Sequence, residues 1–144
     1  MKEVRKAVGA KQTRFIVLCV GDKDSHGYNE DTLPLLLQIV DASKPDARIF
    51  THTGVVGYFG FSSGSVEAVE SAVLRAEQLR DLDPRFSTLG IGLACGDLVA
   101  DFDWLGRLKH DSTPMGRIVN EASAGIRDTN KYKEVLKELH EMRR

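Results

Sequence analysis

The 144-residue chain has only two cysteines, Cys19 and Cys95, and no Cys-x-x-Cys pair. Zinc-binding and dithiol redox motifs therefore lack their ligands. Both cysteines sit inside apolar runs, FIVLCV and LGIGLACG, the setting of a small buried hydrophobe rather than of a reactive thiol. The histidines, His26, His52, His110 and His140, have no metal-ligand spacing. An excess of one charge is also missing: Lys plus Arg is 20 against Asp plus Glu 21. That balance argues against a dedicated nucleic-acid binder, which carries a strong basic excess. No aromatic-rich strand with interleaved basic residues offers a platform for bases either. The basic residues at the two ends, Lys2, Arg5, Lys6, Lys11 and Arg14, then Arg143 and Arg144, read as solvated termini. No apolar run approaches the roughly 18 residues a bilayer span needs, and no secretory leader pattern is visible. The expectation is a cytoplasmic chain with no membrane and no nucleic-acid partner.

What is there is an ordinary globular composition, 42% hydrophobic and 28% charged. The length fits one domain, which can bury about two thirds of its unfolded surface. No internal repeat or low-complexity linker interrupts it. Met1 to Gln12 is polar and reads as a loose arm or short helix. RFIVLCVGD, Arg14 to Asp22, is a continuous apolar run and reads as a buried central strand. After the polar loop DKDSHGYNED, Asp31 or Thr32 can cap a helix with Pro34 in its first turn and Leu35, Leu36, Ile39 and Val40 on one face. ARIFTHTGVVGYFGF reads as a hairpin turning near His52 to Gly54. A helix follows from Ser65, read as its N-cap, with Val66, Val69, Ala72, Val73, Ala76 and Leu79 at helical spacing. STLGIGLACGDLVADF reads as a strand, a turn near Gly96-Asp97 and a second strand start. A helix carries Asn120 and Ser123, and the last segment is amphipathic through Tyr132, Val135, Leu136 and Leu139. The order β-α-β-β-α-β followed by a helix is the split pattern of ferredoxin-like folds. The expected class is α+β, an α/β sandwich with helices packed on one face of a mostly antiparallel sheet.

The stretch HDSTPMGRIVNEASAGI, His110 to Ile126, gathers many hydrogen-bonding groups around a helix start. Asp111 and Thr113 cap that helix or contact a ligand. Asn120 and Ser123 form an exposed or interface face or touch a ligand. Together with Gly90-Ile91-Gly92-Leu93 and Gly96-Asp97-Leu98-Val99, this stretch resembles the catalytic domain of class III nucleotide cyclases. Its specific part is the element Thr113 to Ser123, which resembles the family's Asp-Tyr-Thr-x-x-Gly-x-x-Val-Asn-x-Ala-Ser-Arg. FIVLCVGD is similar to the family's first strand, and IFTHTGVVGYFG to its Phe-x-Gly-Asp-Gly hairpin, so the resemblance runs in order over residues 14–126. Residues 1–13 would then be an arm and residues 127–144 a C-terminal helix. The resemblance implies cyclisation of a nucleoside triphosphate by in-line attack of the 3′-hydroxyl, with two divalent cations, Mg²⁺ or Mn²⁺, held by carboxylates. It also implies a site shared between two subunits, hence a homodimer.

The charged machinery departs from that pattern. The first metal Asp aligns with Gly21, one residue before Asp22; side chains alternate along a strand, so the slip turns Asp22 to the other face unless a bulge intervenes. Asp22 and Asp24 are the metal-ligand candidates. Thr53 stands at the second metal Asp, Ile49 at a base-selecting Lys, and Ala124 at the transition-state Arg. Asn120 is the candidate catalytic residue, and Thr113, Asp111 and Asn120 are the candidate nucleotide contacts. The family's remaining C-terminal strands have no match. The reading is a dimeric signalling or regulatory module, impaired in catalysis, with a nucleotide or a protein as partner. The alternative is an active adenylate or guanylate cyclase, a phosphorus–oxygen lyase, with a rewired metal site.

Overall fold

The computed structural model describes residues 9–24, 28–51, 54–102, 117–128 and 130–143. Its elements are β1 (Gly9–Asp22), α1 (Leu33–Ala42), β2 (Ala47–Thr51), β3 (Gly54–Gly60), α2 (Ser63–Leu82), a short 3-10 turn (Pro84–Phe86), β4 (Leu89–Phe102), α3 (Arg117–Gly125) and α4 (Lys131–Met142). The four strands form one sheet in the order β2-β3-β1-β4, and every neighbouring pair is antiparallel. This is the expected α+β class with the βαββαβ core.

β1 is central and covered on both sides, which is why its sequence is an unbroken apolar run. Ile16, Leu18 and Val20 point into the larger core, shared with Leu36 and Val40 of α1, Val66, Val69 and Val73 of α2, and Tyr132, Val135 and Leu139 of α4. Phe15, Val17 and Cys19 point the other way, into a smaller cluster with Val56, Tyr58, Ala94, Ile118 and Ala122. The helix layer thus holds α1, α2 and α4, and among the described residues α3 is the helix on the opposite face.

α2 begins one turn earlier than its sequence suggests. Ser62, in extended conformation, is the N-cap, and Ser65 is the third helical residue. The Ser65 amide donates to Ser62 Oγ at 3.0 Å and the Ser62 amide to Ser65 Oγ at 2.8 Å, a reciprocal capping box. In α1 the Thr32 hydroxyl is not a helix cap. It accepts from the Asn29 amide at 3.0 Å, closing the preceding turn, and Pro34 occupies the helix's first turn as expected.

Two strands are longer than the sequence implied. β1 starts at Gly9, so residues 9–12 are strand rather than loose arm or helix. β4 runs without a turn from Leu89 to Phe102, paired with β1 from Asp22 back to Gly9. The glycines of β4 instead serve close packing. A Cβ on Gly92 would lie 1.8 Å from the Ala122 carbonyl oxygen, one on Gly90 2.1 Å from that of Ile126, and one on Gly96 2.7 Å from Ile118 Cγ2. With Ala94 between them, these residues make a side-chain-free strip along one face of β4, and α3 lies in it. Gly96, read as part of a turn, is here a strand residue against which the Ile118 side chain of α3 packs.

α4 is tied along α2 by three side-chain contacts. Tyr132 Oη donates to Glu77 Oε2 at 2.6 Å, His140 Nε2 meets Glu70 Oε2 at 2.7 Å, and Arg143 Nη1 donates to Glu67 Oε1 at 3.2 Å. Among the described residues, no helix is long and apolar enough to cross a membrane.

Candidate functional site

The candidate site lies where β1 ends. Gly21 pairs with Gly54 of β3 on one side and Gly90 of β4 on the other, so three adjacent strands carry glycine in one row. Gly21 follows Phe15, Val17 and Cys19 in the alternation and belongs to the α3 face. At this position, where the resemblance calls for a metal carboxylate, there is only backbone. The neighbouring Gly90 is roofed by the Ile126 carbonyl.

Asp22 follows Ile16, Leu18 and Val20 onto the helix-layer face. The pairing of β1 with β4 is continuous through Asp22↔Leu89, without a bulge. The side chain is 4% exposed, and its Oδ1 accepts from Thr88 Oγ1 at 2.8 Å and from the Asp24 amide at 2.9 Å. The Lys23 amide donates to the Thr88 carbonyl at 2.9 Å, so the end of β1 is fastened to the residue just before β4. A buried carboxylate needs such donors, since without them its desolvation would be costly. Tyr28 packs nearby on Phe86, with ring centroids 5.1 Å apart. Burial, and then the charge of Asp22, push its phenol up to about 12. Thr88 was not visible as a functional partner in sequence, because nothing local links it to a residue 66 positions away.

Asp24 is exposed, and its amide serves Asp22. Asn120 is exposed on α3, on the other side of the sheet from the Asp22 carboxylate. The fold therefore does not bring Asn120 and Asp22 together. Ser123, also on α3, places its Oγ 3.7 Å from Cys19 Sγ. Burial pushes the Cys19 thiol up to about 11 despite that contact, which keeps it protonated and unreactive. Ile49, aligned with the base-selecting Lys, packs against the smaller core. Tyr58 in that core is fully buried, and its hydroxyl has no hydrogen-bond partner among the described residues. Burial, with the neighbouring Cys19, raises it to about 12. The candidate nucleotide contacts Asp111 and Thr113 lie outside the described residues, as do His52 and Thr53.

These residues do not fit a pair of divalent cations on the α3 face. Gly21 offers no carboxylate, and that of Asp22 is committed on the far side. Among the described residues, no group of three or more His, Cys, Asp or Glu side chains could hold a metal ion.

Solved structures of nucleotide cyclases share this chain's fold. A bacterial light-regulated adenylyl cyclase superposes with a TM-score of 0.56 at 15% identity, over 92% of this chain and 46% of that one. The guanylyl cyclase Cya2 superposes with a TM-score of 0.52 at 18% identity, over 81% of this chain and 70% of that one. Another structure of a bacterial light-regulated adenylyl cyclase gives 0.50 at 15% identity, covering 81% of this chain and 40% of that one. The chain spans less than half the length of the light-regulated cyclases it matches. No protein-family model and no curated protein matches the sequence. At these identities the likeness establishes the fold, which is that of a cyclase catalytic domain.

Proposed function

We propose that the chain is a cyclase-homology module that does not cyclise nucleotides efficiently and acts as a homodimer in a regulatory or signalling role in the cytoplasm. The observation that carries this reading is the end of β1, with glycine facing α3 and the Asp22 carboxylate turned away and held by Thr88 and the Asp24 amide. Cyclisation needs carboxylates that hold divalent cations beside the attacking hydroxyl and the α-phosphate. It also needs cationic donors where charge grows on the phosphoryl oxygens. Ala124 provides no such donor. By comparison with arginine fingers, losing that donor alone slows the reaction by about 10³-fold or more. What remains suits a packing surface for a second copy, with Asn120 and Ser123 exposed on α3.

The test joins two measurements on the purified chain. ATP and GTP are titrated calorimetrically with and without Mg²⁺ and Mn²⁺, cyclic product is followed chromatographically, and the mass in solution is measured by sedimentation. The expected result is a dimer with no metal-dependent nucleotide binding and no cyclic product. Micromolar, metal-dependent binding with cyclic product, abolished in Asp22→Ala or Asp24→Ala, would establish the active cyclase instead. A monomer at all concentrations would remove the dimeric part of the reading.

A further inference from the structure

α4 is held on the molecule in two ways. Its apolar side, Tyr132, Val135 and Leu139, is buried in the larger core. Its polar side meets three carboxylates of α2: Tyr132 meets Glu77, His140 meets Glu70 and Arg143 meets Glu67. These attachments are unevenly spread. At the start of the helix, Tyr132 combines burial with its hydrogen bond. Past Leu139 the apolar grip is gone, since Met142 is 42% exposed. Among the described residues, the side chains that fasten the last turn are those of His140 and Arg143.

The two ties answer differently to pH. An arginine keeps its charge throughout, whereas a histidine is the side chain whose charge changes between about pH 5 and 8. His140 Nε2 lies 2.7 Å from Glu70 Oε2. With the ring protonated, this is a charge-assisted bond from a cation to a carboxylate. With the ring neutral, it is either an ordinary hydrogen bond or, in the other tautomer, a lone pair facing a carboxylate oxygen. The remaining charges around the ring are differently engaged. On α2, Glu67 is taken by Arg143 at 3.2 Å, and Glu77 and Arg80 lie at Tyr132, two turns away. On α4 itself, Lys137 and Arg143 stand three residues to either side and Glu141 is adjacent. On β4, Cys95 interacts with Asp97 and with Glu138 of α4. Glu70 alone is in contact with the ring, so its carboxylate makes the closed helix favour the protonated form. That contribution is present at low pH and is lost as pH rises through the histidine range.

We propose that the last turn of α4 is a pH-sensitive strap, closed on α2 while His140 is protonated and peeling from its C-terminal end when the ring loses its proton. The start of the helix stays in place, because Tyr132 and Val135 are buried whatever the pH. Peeling uncovers Leu139 and the part of the larger core that it closes. The response is graded rather than all-or-none, since a partly exposed pair carries little free energy. It does not depend on whether the chain cyclises nucleotides.

The test is amide hydrogen exchange on the full, isotope-labelled chain at about pH 5.5 and about pH 8, the two sides of the histidine range. Exchange is expressed as protection relative to the unfolded rate at each pH, which removes the intrinsic base catalysis. Protection at residues 139–143 is expected to fall about threefold between the two conditions, while that of α2 and β1 holds. Glu70→Gln is expected to show the lower protection at both pH values. His140→Lys, which keeps its cation throughout, is expected to show the higher protection at both. A fall as large as the parent's in either variant would overturn the assignment to this pair. No fall in the parent, or an equal fall across α2, would overturn the strap.

Discussion

The two faces of the sheet are built on opposite terms. The face towards α1, α2 and α4 is filled by branched and aromatic side chains, with Ile16, Leu18, Leu36, Phe86 and Ile91 fully or almost fully buried. On the face towards α3, β1 and β3 keep a smaller cluster of Phe15, Val17, Val56 and Tyr58, and β4 is bared of side chains at its glycines. Gly90, Gly92, Ala94 and Gly96 let a nine-residue helix rest almost on the strand backbone. The first face holds its helices by apolar volume removed from water. The second holds α3 along β4 by close approach of helix and strand backbone. A fold can therefore keep its architecture through one face while the other changes its chemistry. The β1 end follows this division: its glycine belongs to the thin face and its carboxylate to the thick one.

Substitutions on each face can break or sharpen this contrast. Leu18→Ala removes a fully buried side chain from the larger core and is expected to cost about 2–5 kcal/mol of global stability, read from the urea midpoint of the whole molecule. Gly92→Ala puts a methyl group where the Ala122 carbonyl stands. It is expected to cost about 3 kcal/mol, the upper end for overpacking, because the obstacle is backbone. Hydrogen exchange should show α3 losing protection while α2 keeps it. Equal loss in α2 would mean that the two faces form one cooperative unit, against the contrast drawn here.

A smaller effect comes from pH. The folded Cys19 thiol is raised from 9.0 to about 11, so its neutral form is favoured by folding. That contribution is fully present below about pH 9 and is lost as pH rises through about 11, an effect of about 3 kcal/mol at most. Tyr58, raised to about 12, adds a loss of the same sign at higher pH. Denaturation followed between pH 8 and 11.5 should therefore fall less steeply in Cys19→Ala than in the parent; identical slopes would count against burial of the thiol beneath α3. The smallest change is expected from Glu70→Gln, which weakens the half-exposed contact with His140. It should cost less than about 1 kcal/mol, visible as increased exchange in α4 and little else.

Much of this contrast could be read in the residues. The apolar run of β1, the helical spacing of Val66, Val69 and Val73, and the face of Tyr132, Val135 and Leu139 each carry a strong periodic signal, and all stand as read. The glycines of β4 were harder, because the same residue serves turns and close approach. Only the helix lying across Gly92 distinguishes the two, and that helix comes 25 residues later. The cap of α2 was displaced because Ser62, Ser63 and Ser65 are all competent caps, and the choice rests on backbone conformation. Alternation along β1 was enough to set Gly21 and Asp22 on different faces. It could not supply Thr88, which reaches Asp22 only once β4 has paired. Asp111 and Thr113, the two candidate nucleotide contacts before α3, lie outside the described residues.

The long ladder between β1 and β4 also sets a timetable. Its register joins Gly9 to Phe102 and Asp22 to Leu89, whereas β3 reaches β1 much sooner along the chain. During synthesis, at about 5–20 residues per second, β1 therefore waits several seconds with one edge open. Loops that long close slowly, so formation of the β1–β4 ladder is expected to limit the folding rate. Until it forms, the run FIVLCV is an unshielded, uncharged strand, the type of segment that seeds aggregation. A newly made chain is therefore most at risk before β4 emerges, and a helper that shields β1 during that interval should raise the yield of folded protein.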